Sequence, residues 1–317
     1  MSETLKLHTG ALMPQFGLGT WQAKDPEELS TALRAALDSG YRLIDTAHMY
    51  GNENVIGKVL EEYFSSGKLK RSDVFITTKL PFYAMEPAAA DALIPAQLAA
   101  LGLDYVDLYL VHVPVALQPR DKEKPSLFDL EPVDIPHIDT WRVLEKWQKK
   151  GVLKSLGLSN FNERQILALF NEAEVKPANL QVECHIYWPQ LELHTLAQRL
   201  GMTFTAYGPL GSPGRVNFKV PEGWPEANPM EEPLVQRLAE KYAKSPAQIL
   251  LRQLLHRGIA VIPKSVREAR VRENADIFDF SLTEQELAEF AGITKRVRLF
   301  ELRFIKFGKQ YPFDDVV

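Results

Sequence analysis

The sequence predicts an α/β fold, a (β/α)8 TIM barrel with an N-terminal β-hairpin and long loops at its C-terminal face, occupying residues 1–317 as one domain. Three observations carry that prediction. Short apolar segments alternate with helical patterns eight times, three of the segments end on ionisable side chains, and the phosphate-binding glycines of the rival open sheet are incomplete. Eight parallel strands covered by helices close into a barrel, and a barrel places its chemistry at the C-terminal strand ends.

Residues 5–15 place Thr9-Gly10 between two apolar pieces, which predicts a hairpin ahead of the main fold. The units that follow are strand 16–20 with helix 25–39, strand 43–47 with helix 53–65, strand 74–79 with helix 87–101, and strand 106–112 with helix 139–150. The second four are strand 155–160 with helix 163–173, strand 180–184 with helix 192–200, strand 203–207 with helix 232–243, and strand 259–263 with helix 267–275. Pro26 near a helix start and Gly40 after its end are the expected boundary residues. A doubly wound sheet is disfavoured because Gly17-Leu18-Gly19-Thr20-Trp21-Gln22 lacks the last glycine of G-x-G-x-x-G. The connections 113–138 and 208–231 and the tail 292–317 are long, and they predict the walls of a binding pocket.

Composition narrows the function class. With 45% hydrophobic and 25% charged residues and a net charge of -4, the chain lacks the basic excess of a nucleic-acid binder. Cys184 is the single cysteine, so no intrachain disulfide can form, and a reducing, cytoplasmic setting is expected. No segment has the apolar length of a membrane span, and no membrane partner is expected. Glu183, Cys184, His185 and His194 do not follow a metal-ligand spacing, so no metal is expected.

Asp45, Tyr50, Lys79 and His112 fall at or just past the ends of strands two, three and four. Taken singly they have ordinary readings: an ion pair for Lys79 and Asp45, a packing residue for Tyr50, a hydrogen-bonded core residue for His112. Together they form a working set. A tyrosine keeps its proton at neutral pH and becomes a better acid beside a cation, here Lys79 held by Asp45. His112 can orient a carbonyl oxygen for that proton.

The chain resembles the aldo-keto reductase family, its aldose reductase-like group. The likeness lies in Gly17-Leu18-Gly19-Thr20-Trp21, Asp45-Thr46-Ala47, Tyr50-Gly51-Asn52-Glu53, Leu108-Tyr109-Leu110-Val111-His112, Gly157-Leu158-Ser159-Asn160-Phe161, Ile262-Pro263-Lys264-Ser265 and Tyr311-Pro312-Phe313. The resemblance implies reversible reduction of aldehydes and possibly ketones with a nicotinamide dinucleotide bound in an extended pose, by a monomer acting on small carbonyl compounds. It implies Tyr50 as acid, Lys79 and Asp45 as its tuning pair, and His112 as the carbonyl-positioning group. It also places Gly19, Thr20, Trp21, Asp45, Ser159, Asn160, Gln181, Tyr207, Leu210, Ser212, Val266, Glu273 and Asn274 along the cofactor. Lys264, Ser265 and Arg270 gather at a helix start, where an anion is favoured, and predict NADPH/NADP+ through its 2′-phosphate.

Three positions depart from the family pattern. Gln22 and Gly214 stand where relatives commonly carry a lysine and an aspartate that close over the pyrophosphate, which predicts weaker cofactor retention. Val113 stands where tryptophan is frequent, so Trp21, Tyr50, Phe82, His112, Val113, Leu299 and Phe300 are expected to line the substrate pocket and to favour lipophilic carbonyls. The tail 295–307 mixes basic and apolar residues, and the simplest expectation is that it packs on the barrel. Two alternative functions remain at this point: an NADP-dependent dehydrogenase of steroid or other lipophilic alcohols, and a non-catalytic structural or regulatory member such as a lens crystallin or ion-channel subunit.

Overall fold

The computed structural model describes residues 3–121, 129–217 and 223–313, so parts of all three long connections lie outside the described residues. An antiparallel hairpin, β1 (Thr4–Lys6) and β2 (Leu12–Pro14), opens the chain. Eight parallel strands then follow one another around a single sheet: β3 (Leu18–Gly19), β4 (Leu43–Asp45), β5 (Phe75–Leu80), β6 (Val106–Val111), β9 (Leu153–Ser159), β10 (Asn179–Glu183), β11 (Thr203–Tyr207) and β12 (Ala260–Val261). Between β6 and β9 the loop folds into a small hairpin of β7 (Leu117–Pro119) and β8 (Leu130–Pro132).

The sheet closes on itself. Phe16 bridges Val261 and Gly19 bridges Lys264, both in parallel. Gly17 N donates to Val261 O at 2.9 Å and Gly19 N to Pro263 O at 3.2 Å. Gly19 is required at this seam, because a Cβ there would stand 2.5 Å from the Ile262 carbonyl oxygen.

Side chains alternate along each strand, and that period sorts the barrel interior by depth. Leu43, Phe75, Leu108, Leu110 and Ala260 face inward at the base and pack with Leu7 and Met13 of the hairpin, which plugs the bottom. Further up the same strands, at even spacing, the inward positions become Asp45, Lys79 and His112. The opposite faces, Ile44, Ile76, Tyr109 and Leu158 among them, join the main core beneath the helices.

Those helices are α1 (Pro26–Asp38), α2 (Glu53–Ser65), α3 (Pro87–Leu101), α4 (His137–Lys149), α5 (Glu163–Glu172), α6 (Leu191–Arg199), α7 (Pro233–Tyr242), α8 (Pro246–His256), α9 (Glu268–Ala275) and α10 (Glu284–Ala291). Their starts follow capping chemistry. Asp25 accepts from Glu27 N and Glu28 N at 2.9 Å, and Asn162, Ser245 and Thr283 each form a capping box.

One expectation needs correction. The seventh covering helix is α8, not the predicted 232–243, because Leu251, Leu254 and Leu255 of α8 join the main core with Val261 of β12. Helix α7 packs outside it, Val235 and Leu238 meeting Ile249 and Leu250 of α8 and Phe290 of α10. Both α8 and α10 were absent from the predicted elements; α8 is buried from Gln248 to Leu255 and follows α7 with no strand between them, so it falls outside the strand-then-helix rhythm.

Candidate active site

Lys79 ends the inward row of β5 with its side chain only 1% exposed, and Asp45 ends that of β4. Neighbouring strands in register bring the two together: Lys79 Nζ donates to Asp45 Oδ1 at 2.6 Å and to the Thr46 carbonyl at 2.8 Å. The second carboxylate oxygen of Asp45 accepts from Gln181 Nε2 at 2.7 Å, across the barrel from β10. Burial pushes the Asp45 carboxyl up and the Lys79 ammonium down, and their pairing opposes both shifts. We take the pair as ionised, since every polar contact of the carboxylate comes from a donor.

Tyr50 lies in a short 3-10 turn, His48–Tyr50, that follows β4 and ends on Gly51 at φ 68°. Its ring stands 5.2 Å from Lys79 Nζ and meets the His112 ring edge-on at 5.7 Å. The predicted electrostatic effect on this phenol is reversed. Burial pushes the Tyr50 hydroxyl well above the ordinary value near 10, with the charges of Asp45 and Tyr207 adding to it. The reason is first the burial of the phenol, which disfavours its charged form, and then the nearby Asp45 carboxylate.

His112 follows β6, its backbone N–H donating to Leu80 O at 3.0 Å. Burial, then the charge of Lys79, holds its imidazole down to about 3, so the ring is neutral. Its Nδ1 is buried without a hydrogen-bond partner among the described residues. A neutral imidazole carries one N–H, and the Nε2 tautomer would give the pocket a donor.

The remaining strand ends are joined to this group. Asn160, at φ 63°, donates from Nδ2 to the His112 carbonyl at 2.9 Å and to Ser159 Oγ at 3.2 Å, and its Oδ1 accepts from Tyr207 OH at 2.7 Å. Tyr207 in turn meets Phe300, whose ring also touches Trp21 at 5.5 Å and Trp224 at 5.3 Å. Other predicted pocket residues sit deeper in the wall: Phe82 and Val113 pack with Val115, Ile305 and Tyr311, and Leu299 is 1% exposed.

The second predicted cluster lies beside the barrel seam. Ser265 Oγ accepts from Arg267 N at 3.1 Å ahead of α9, and Arg272 pairs with Glu268 at 2.8 Å. Lys264 and Arg270 make no ion pair among the described residues. Leu210 and Ser212 (φ 46°) lie on the loop after β11; Val266 is half-buried, Glu273 exposed and Asn274 buried. Sequence reasoning missed Trp224, Glu183, and the pair Glu53 and Gln97, which bond Thr78 directly behind Lys79 at 2.5 and 3.1 Å. The signal for Glu183 was present: Gln181 and Glu183 share the inward period of β10.

A closed eight-stranded barrel with an ion pair, a phenol and a neutral imidazole at its C-terminal mouth now meets comparison with known proteins. The Aldo/keto reductase family pattern matches residues 15–295. This chain belongs to that family. Aldo-keto reductase family 1 member A1 of Gallus gallus is 43% identical over 315 residues, covering 97% of this chain and 94% of that protein, and its Sus scrofa counterpart is 42% identical over 314 residues with the same coverage. The aldose reductase structure from Schistosoma japonicum superposes with a TM-score of 0.88 at 39% identity, covering 99% of this chain and 100% of that one. Membership makes the chain an oxidoreductase of carbonyl chemistry that works with a nicotinamide cofactor.

Proposed function

We propose that this aldo-keto reductase reduces aldehydes, and ketones that fit, to alcohols with NADPH, using Tyr50 as the proton donor. The observation that carries the reading is the arrangement of Tyr50 and His112, rings 5.7 Å apart, over a Lys79 ammonium tied to Asp45. When bound, the reduced nicotinamide supplies the hydride. His112 Nε2–H orients the carbonyl oxygen, and Tyr50 donates its proton to that oxygen as negative charge grows there. A high phenol pKa is compatible with this role, because the developing alkoxide is more basic than a phenolate; the Lys79 ammonium stabilises the phenolate left behind.

The residues present fit the dinucleotide. Ser159, Asn160 and Gln181 offer amides and a hydroxyl at adjoining strand ends for the carboxamide, and Tyr207 offers a ring for stacking. Leu210 and Ser212 would border the pyrophosphate, as would Gly19, Thr20 and Trp21. Lys264 and Arg270, unpaired among the described residues beside the start of α9, suit a 2′-phosphate, and Ser265 adds a hydroxyl. Val266, Glu273 and Asn274 would border the adenine. Phe300 and the three rings that meet it favour a lipophilic carbonyl.

The test is Tyr50→Phe, with NADPH binding followed by fluorescence and turnover by cofactor absorbance. Turnover of an aromatic aldehyde is expected to fall by about 100-fold to 10,000-fold while NADPH affinity stays within about 3-fold. Undiminished turnover would remove Tyr50 from its role. Comparable Michaelis constants for NADH and NADPH would remove the 2′-phosphate site.

A further inference from the structure

Strand β10 ends on a carboxylate that the reaction above leaves unused. Glu183 is 1% exposed, and it faces the C-terminal tail. Its Oε1 accepts from Leu299 N at 2.6 Å and its Oε2 from Phe300 N at 2.8 Å, so two successive backbone amides share one carboxylate. His185 Nε2 lies 2.8 Å from Oε1 as well. The contact continues along both segments: Val297 N donates to Tyr187 O at 2.9 Å, and the Arg298 guanidinium stacks 4.5 Å from the Trp188 ring.

The consequence lies at the next side chain. Phe300 meets Trp21, Tyr207 and Trp224 edge-on at 5.3–5.5 Å, rings drawn from three separate segments of the mouth. Tail residues carry no strand or helix at 293–302 to hold this position. A carboxylate suits the task because it offers two acceptors and no donor to two N–H groups, and charge-assisted bonds out of water are stronger than neutral ones. An amide in its place would turn an NH2 toward one of those N–H groups.

We propose that Glu183 is a positioning residue that fixes Phe300 at the pocket mouth and thereby sets a preference for aromatic carbonyl substrates. This rests on the carbonyl-reducing reading of the Tyr50 site. Removing the carboxylate frees the tail, and substrates that need an aromatic wall lose affinity while small ones do not.

The experiment uses the full chain with NADPH, 2-naphthaldehyde and propanal, together with residue-resolved hydrogen exchange. In the unaltered protein the Leu299 and Phe300 amides should exchange about 100-fold slower than in an unfolded chain. Glu183→Gln should speed both and raise KM for naphthaldehyde about 10-fold, with kcat within about 2-fold and KM for propanal unchanged. Phe300→Ala should raise the naphthaldehyde KM similarly while Leu299 stays protected. Unprotected amides in the unaltered protein, retained protection in Glu183→Gln, an equal KM rise for both aldehydes, or an unaffected Phe300→Ala would each overturn the assignment. The unaltered protein and Phe300→Ala keep the test decisive if Glu183→Gln does not fold. Tyr50→Phe run alongside separates the two readings, since full activity there sinks the chemistry and not the latch.

Discussion

Lys79 is one of the largest fully buried side chains of the protein, and it is charged. Burying an ion pair is a poor source of stability, and removing one partner is worse, because the other charge is left without compensation. Lys79→Met should therefore lower unfolding free energy by about 3–5 kcal/mol in urea titration, and adding Asp45→Leu should restore part of it. No recovery in the double variant would mean that the pair is not what the site depends on. The same residues set the pH behaviour. His112 is held to about 3 and Tyr50 well above 10, so neither changes charge near neutrality. The kcat/KM for a neutral aldehyde should vary less than about 3-fold between pH 6 and 8. A one-proton transition at the ordinary histidine value near 6.5 would show that His112 takes up a proton. Residue types and strand-end positions made this set readable in the sequence. The sign of the Tyr50 shift was not, because it depends on burial and on the charge of Asp45 beside the ring, and both are properties of packing.

Among the elements, the strands were the most legible. Each of the eight predicted strands overlaps an observed one, because buried parallel strands read as short apolar runs bounded by turn residues. The missed helices share one reason: each directly follows another helix with no strand between them, α8 after α7 and α10 after α9, so a strand-then-helix rhythm leaves them no place. Ser245-x-x-Gln248 and Thr283-x-x-Glu286 were the signals that could have found them. Loop geometry is harder to read, and here it bears on function. The Gln22 and Gly214 segments approach each other: Gln22 Oε1 lies 3.8 Å from where a Gly214 Cβ would stand. Gly214 is not at a positive φ, so it can accept a side chain. Gln22→Lys with Gly214→Asp should create an exposed ion pair across these two loops, worth about 1 kcal/mol and hence about 5-fold slower NADPH release by stopped-flow fluorescence. An unchanged release rate would show that the loops do not close over the cofactor.

At the scale of the molecule, four histidines tie separate parts of the ring in their neutral form. His112 follows β6, His137 starts α4 beside the Pro114 carbonyl at 2.6 Å, His194 of α6 meets Phe204 at 5.2 Å, and His256 of α8 stands 3.2 Å from Leu282 N, which donates to it. Burial lowers all four, His112 to about 3 and His194 to about 4. The sign follows from comparing the two states. Below about 6.5 the unfolded chain binds protons that the folded protein refuses, so the histidines' contribution is complete above that pH and is lost as pH falls. Each fully depressed histidine contributes a slope of about 1.4 kcal/mol per pH unit until its folded value is reached. His112 alone then accounts for about 2 kcal/mol between pH 6.5 and 5, and His194, more open to solvent, for less. Burial raises Asp107, which acts in the opposite sense as the folded state takes up its proton, so the comparison belongs above the carboxyl range. Unfolding free energy should fall steadily from pH 6.5 to 5 in urea titration. His112→Gln should flatten that fall by about 2 kcal/mol, because a side chain that never titrates removes one refused proton from the balance. An identical slope in the variant would mean that the folded protein protonates His112 after all, which would also remove the neutral donor on which the carbonyl-orienting role depends.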